Sequence, residues 1–278
     1  MRAKLIIALA VTASALTACG SSSDTVADKA KNDKKLVVGI KTDQPGLGLQ
    51  TPQGYSGFDV DVANYVAKKL GADKVEFKKA TSDVREQVIM QGDVDLVIAT
   101  YSITDERKKK VSFAGPYLVT GQDILVKAAD TSITGVDSLK DKTTCGASGS
   151  SSPARLAEKF GGTKDVANDW GKKHLKLLNG YGACLPLLES GDVDAISTDA
   201  TILAGFAAQS PGKFKIVGKP FSEEKYGIGL KIDDKKSRDA INDAIEAMFK
   251  DGAWKAAVDK NFGEFGALFT TPPQVARY

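Results

Sequence analysis

The chain has 278 residues, 38 of them basic and 35 acidic, with three cysteines and a single histidine. No basic stripe is interleaved with aromatics, and "RKKK" (107–110) sits on one helix as a solvated face, which excludes a nucleic-acid surface. One histidine (His174), no Cys-x-x-Cys and no nucleophile elbow leave metal and triad chemistry little material, so neither metal nor cofactor is expected.

Residues 1–18 read as an export signal. Arg2 and Lys4 give a positive start, and Leu5 to Leu16 form an apolar stretch too short to span a membrane stably. Leu-Thr-Ala-Cys then follows at 16–19 and resembles the lipobox of bacterial lipoproteins. That resemblance implies cleavage before Cys19, a lipid on its thiol and an extracytoplasmic chain anchored to the cell membrane. The alternative is an ordinary signal peptide with a coincidental cysteine. Removing Arg2 and Lys4 leaves 36 basic residues against 35 acidic ones, so the full chain's basic balance says little about partners. Residues 19–35 are polar and predict a flexible tether. With Cys19 spent on lipid, Cys145 and Cys184 remain, and in an oxidising compartment they are expected to pair. The alternative is two separate buried thiols.

From residue 36 onward, strands alternate with helices. "KLVVGIKT" (35–42) predicts a strand. "DVDVANYVAKKLG" (59–71) predicts a helix with Val62, Ala63, Val66, Ala67 and Leu70 on one face and Gly71 as its stop. A strand at 74–80 and a helix at 83–91 follow, and a strand at 142–149 precedes a helix from Pro153, capped by Ser152. Helices at 236–252 and 254–263 close the pattern. "GDVDLVIAT" from Gly92 and "GDVDAISTD" from Gly191 each join a helix end to an apolar strand, 99 residues apart. That spacing suits two similarly built lobes better than a solenoid. The class is therefore α/β with largely parallel sheets, whose ligands sit beyond the carboxyl ends of strands.

Arg107 is the oddity. Thr104, Asp105 and Glu106 suit a helix start, where a cation is misplaced. Either its acidic neighbours neutralise it in water, or it waits with Thr100 and Ser102 for an anion. Three further features lie beyond predicted strands or at helix starts. "SGSSSPAR" (148–155) offers a helix N-terminus, Asp199 opens the helix at 200–209, and Lys41 and Arg85 are cations near one strand end and one helix start. Each alone is equally an ordinary cap or surface residue. Together they supply two anion sites and one counter-charge for an ammonium, which matches a free acidic amino acid.

"GFDVDVANYVAKKLG" (57–71), "GDVDLVIATYSITDERKKKVSFAGPY" (92–117) and "GDVDAISTDATILAG" (191–205) resemble the family 3 solute-binding proteins of ABC importers for polar amino acids, over residues 36–262. The resemblance is strongest to actinobacterial glutamate-binding lipoproteins. It implies a two-lobed periplasmic-binding-protein-like fold of type II, with the ligand cleft between lobes joined by two hinge crossings. Lobe one would be residues 36–119 plus 222–262, lobe two residues 120–221, and 263–278 a C-terminal tail. It also implies that Arg107 holds the ligand α-carboxylate with Thr100 and Ser102, that Gly149, Ser150 and Ser151 close over it, and that Asp199 binds the α-ammonium. Arg85 and Lys41 would face a side-chain carboxylate. Many relatives carry an aromatic ring where Gln44 stands, a departure here. The expected protein is a monomeric receptor, not an enzyme, that binds glutamate or aspartate and meets permease subunits of an ABC transporter. The alternatives are a glutamine or asparagine receptor, a sensing lipoprotein, and a dehydratase-like enzyme on the same fold.

Overall fold

The computed structural model describes residues 25–278. Cys19, and with it the signal segment and lipobox, lies outside the described residues. Helix α1 (Val26–Asn32) leads into strand β1 (Lys35–Ile40), and β2 (Asp43–Gln44), β3 (Gly48–Thr51) and β4 (Gly54–Ser56) make a small antiparallel sheet. Helix α2 (Phe58–Leu70), β5 (Lys74–Lys79), α3 (Arg85–Gln91), β6 (Leu96–Val97), α4 (Asp105–Lys108) and β7 (Ser112–Thr120) follow in the first lobe. The second lobe begins with β8 (Gln122–Lys127), β9 (Thr144–Ala147), α5 (Ser151–Gly161) and α6 (Asp169–His174). It continues through β10 (Leu175–Leu178), α7 (Cys184–Ser190), β11 (Ala195–Asp199), α8 (Ala200–Gln209) and β12 (Phe214–Ile216). Strand β13 (Glu224–Leu230) and helices α9 (Lys235–Lys250) and α10 (Ala253–Phe262) return to the first lobe.

Each lobe is built on a five-stranded sheet, β5-β1-β6-β13-β7 in one and β10-β9-β11-β8-β12 in the other. In each, four strands run the same way and one, β13 in the first lobe and β8 in the second, runs against them. The reversed strand is the one by which the chain enters each lobe, β8 after β7 and β13 after β12, because a chain arriving from the other lobe starts its strand at the crossing.

The repeated Gly-Asp-Val-Asp does the same work twice. Gly92 and Gly191 end their helices at φ +77° and +92°, left-handed values that glycine adopts without strain. Val94 and Val193 are buried. Asp95 Oδ2 accepts the Val37 N–H, and Asp194 Oδ2 accepts the Thr143 N–H, both at 2.7 Å. A carboxylate thus pairs a backbone donor at the start of the neighbouring strand region in each lobe, which fixes the register of helix against sheet.

Helix α2 buries Val62, Ala63, Val66, Ala67 and Leu70, the stripe expected from its spacing, and Gly71 stops it at φ +100°. The predicted tether is corrected over its second half. Residues 26–32 are helical, with Val26, Ala27 and Ala30 buried against the first lobe. The Ala27 N–H donates to Ser237 Oγ at 2.8 Å, and Lys29 pairs with Asp95 at 2.6 Å. Small alanines supplied helix propensity and close packing where only large apolar residues had counted as a signal. The C-terminal residues also pack back: the Ala276 N–H donates to the Gly115 carbonyl at 2.9 Å, and Arg277 forks onto Asp243 and Glu246 of α9. A disulfide joins Cys145 of β9 to Cys184 of α7, with Cα atoms 5.8 Å apart.

Candidate functional site

Arg107 lies in α4, and its backbone N–H is capped by Thr104 Oγ1 at 3.3 Å. Its guanidinium does not float in water. Nη1 donates to the Ser102 carbonyl at 2.8 Å, Nε faces Glu86 at 3.4 Å, and the group lies 5.1 Å over the Tyr101 ring. Nη2 reaches the Gly149 carbonyl of the other lobe at 3.1 Å. An ion pair, a ring face and a carbonyl therefore hold one buried cation at the seam between lobes.

Thr100 follows β6 at φ +46°, a strained value for a β-branched residue. The strain is held by Asp59, whose Oδ2 accepts the Thr100 N–H at 2.8 Å while its Oδ1 accepts from Tyr117 at 2.8 Å. Burial pushes the Asp59 carboxyl up to about 6. The Thr100 hydroxyl donates to Gln44 Oε1 at 3.1 Å, so that amide is part of the cleft wall.

Two more cations stand behind this wall. Arg85 is buried under Thr100, with Nη1 donating to the carbonyls of Ala99 and Thr100 at 3.0 and 3.2 Å. Its Nε has no partner. Burial, then the charge of Arg107, lowers its pKa to about 10. Lys41 Nζ donates to Ser82 Oγ at 2.8 Å. Burial, then Arg85, holds its ammonium well below the ordinary lysine range. Arg85 and Ser82 line the central cavity, whereas Lys41 lines a neighbouring one of about 250 Å³ beside Asp43 and Lys79.

The second lobe brings the opposite charge. Helix α5 begins at Ser151, with Ser150 at its N-cap position, two residues earlier than Pro153 and Ser152 suggested. The Ser150 hydroxyl does not cap but meets the Ala147 carbonyl at 2.9 Å and the Tyr181 hydroxyl at 2.7 Å. Asp199 likewise stands at the N-cap position of α8 without capping it. Its Oδ2 accepts from Tyr226 at 2.6 Å, and its buried Oδ1 has no partner. Burial, reinforced by the nearby Glu224 carboxylate, pushes Asp199 up to about 7. Glu224 itself is buried, paired with Arg155 at 2.6 Å and 3.4 Å from the Ser151 hydroxyl.

Thr100, Ser102, Arg107, Ser150, Ser151 and Asp199 thus converge on one cavity, with Arg85 in its wall and Lys41 one residue behind. The cavity measures about 10 Å³, room for roughly one water molecule, so anything larger enters only when the lobes part. Its walls are cationic on one side and anionic on the other. Among the described residues no group of His, Cys, Asp and Glu is arranged to hold a metal ion.

Residues 36–264 match the bacterial extracellular solute-binding proteins, family 3. The chain belongs to that family. It is 40% identical over 263 residues to the glutamate-binding protein GluB of Corynebacterium glutamicum, across 90% of this chain and 86% of that one. It is 34% identical over 255 residues to the ABC transporter glutamine-binding protein GlnH of Bacillus subtilis, across 86% and 89% of the two chains. An ancestral arginine-binding protein bound to arginine superposes with a TM-score of 0.75 at 37% identity, over 83% of this chain and 99% of that one. What sequence reasoning missed in this family 3 solute-binding protein is the layer that supports the cleft: Asp59, Glu224, Tyr181 and Tyr226. Asp59 stands in the first turn of α2 with no local signal of its partners, and Tyr181 and Tyr226 stand in no motif; only the long-range fold reveals them.

Proposed function

We propose that this chain is an extracytoplasmic receptor that binds a free amino acid, L-glutamate first and aspartate second, and delivers it to the permease subunits of an ABC transporter. One observation carries the proposal: the buried guanidinium of Arg107 and the unpartnered carboxylate oxygen of Asp199 face one cavity from opposite lobes. An α-carboxylate suits Arg107, the Thr100 and Ser102 hydroxyls and the N-terminus of α5 with Ser150 and Ser151. An α-ammonium suits Asp199. Ligand touching both lobes stabilises the closed form, which is the differential contact a hinge needs.

The side-chain preference rests on Arg85, whose buried Nε lacks an acceptor, with Lys41 beside it. The name of the Corynebacterium relative agrees with that choice. Glutamine is the second reading, because burial favours a neutral Lys41 amine, and such an amine can accept an amide N–H. Lipid on Cys19 completes the proposal, with the receptor acting as a monomer. Because α1 is packed, only the stretch from Cys19 to Thr25 would link lipid to fold, a reach of at most about 20 Å. Calorimetry with glutamate, aspartate, glutamine, asparagine and arginine tests the assignment. Glutamate should bind more than tenfold tighter than glutamine; a preference for glutamine overturns the acidic ligand, and silence across the panel overturns the receptor.

A further inference from the structure

Gly205 sits inside α8, where glycine is the poorest helix former after proline and no left-handed φ calls for it. The reason for it lies in the other lobe. A Cβ at Gly205 would stand 2.1 Å from the carbonyl oxygen of Pro45 and 2.9 Å from its carbon. Both are backbone atoms, not the far end of a flexible side chain. The next residue, Gly46 at φ +77°, is pressed against the Asn261 carbonyl of α10, which a Cβ there would approach at 2.8 Å. Gln44, one residue before Pro45, accepts the Thr100 hydroxyl in the cavity wall. Gly205 stands on the helix that Asp199 opens. Any side chain at 205 would therefore push Asp199 away from the Arg107 side of the cleft.

We propose that Gly205 is a positioning residue that sets the limit of lobe closure, so that Asp199 and Arg107 can engage one ligand together. The proposal rests on the amino-acid receptor reading. A second contact on the seam differs in kind: a Cβ at Gly180 would stand 2.3 Å from Asp43 Oδ2, the tip of a side chain held there by one hydrogen bond, from the Gly182 N–H at 3.1 Å. Closure should tolerate Gly180→Ala better than Gly205→Ala. Gly135, extended at φ 168°, where a Cβ would come no nearer than 3.9 Å to Lys219, serves as control.

The test measures glutamate and glutamine affinity by calorimetry, ligand-induced compaction by small-angle X-ray scattering, and melting of the ligand-free protein. Gly205→Ala should weaken both ligands at least tenfold while leaving their ratio unchanged, because closure is shared by both. Compaction at saturating ligand should fall short of wild type, and the ligand-free melting temperature should not drop, since alanine favours the helix. Gly180→Ala should lose less affinity, and Gly135→Ala none. Wild-type affinity and full compaction in Gly205→Ala overturn the proposal. So does a reduced stoichiometry at wild-type affinity, which marks a misfolded fraction rather than impaired closure. A wild-type protein that binds no amino acid overturns the receptor reading instead.

Discussion

If Asp199 binds the α-ammonium as proposed, ligand affinity depends on pH in a definite direction. Its carboxyl is raised to about 7 by burial and by Glu224, so below that pH it is mostly neutral in the closed site. An ammonium needs the charged form. Binding therefore displaces a proton, and affinity is retained above pH 7 and lost as pH falls. The apparent dissociation constant rises as the ionised fraction shrinks, by at most about tenfold per pH unit below that pKa. Glutamate itself changes little over this window, since its side chain titrates near about 4.3. Asp59, raised to about 6 behind Thr100, titrates in the same window, so the comparison must be made against Asp199→Asn. That variant should bind weakly and lose most of the dependence between pH 5 and 7. Calorimetry at pH 6 in two buffers of different ionisation enthalpy should show about one more proton released by wild type than by the variant. Equal proton release in the two proteins would refute the ammonium role of Asp199.

Replacing Arg107 with Ala should cost about 2–5 kcal/mol in binding every amino acid ligand, read by calorimetry, because a buried carboxylate loses its charged partner. Lys41→Met should narrow the glutamate-to-glutamine ratio while sparing the α-group contacts; an unchanged ratio shows that Lys41 points elsewhere. The disulfide closes a separation of 39 residues. Its loss in a double Cys145→Ser, Cys184→Ser variant should cost about 4 kcal/mol in denaturant unfolding on the chain-entropy account. Both thiols should also resist labelling in the native, unreduced protein.

The alternation of strands and helices was legible because apolar period and glycine stops are local signals, as α2 shows. The Gly-Asp-Val-Asp repeat announced two lobes for the same reason, although the backbone donors its aspartates pair lie far away in sequence. Arg107 was legible because it breaks a helix rule. Asp199 was legible only in part: position suggested a cap, while the folded chain turns its carboxylate to Tyr226 and leaves one oxygen free. Asp59 and Glu224 were not legible, since their partners come from strands and helices remote in sequence. Helix α1 was hidden by its composition, because two alanines and one valine give a short polar-looking stretch no visible core face.

In the proposed site one ligand would be held by its α-carboxylate and its α-ammonium at once. Titrating the wild-type protein with glutamate, glutarate and 4-aminobutyrate tests it directly, since glutarate lacks the ammonium and 4-aminobutyrate lacks the α-carboxylate. Glutamate should bind, and neither analogue should displace it at concentrations where glutamate saturates. An analogue that matches glutamate would contradict the opposed roles of Arg107 and Asp199.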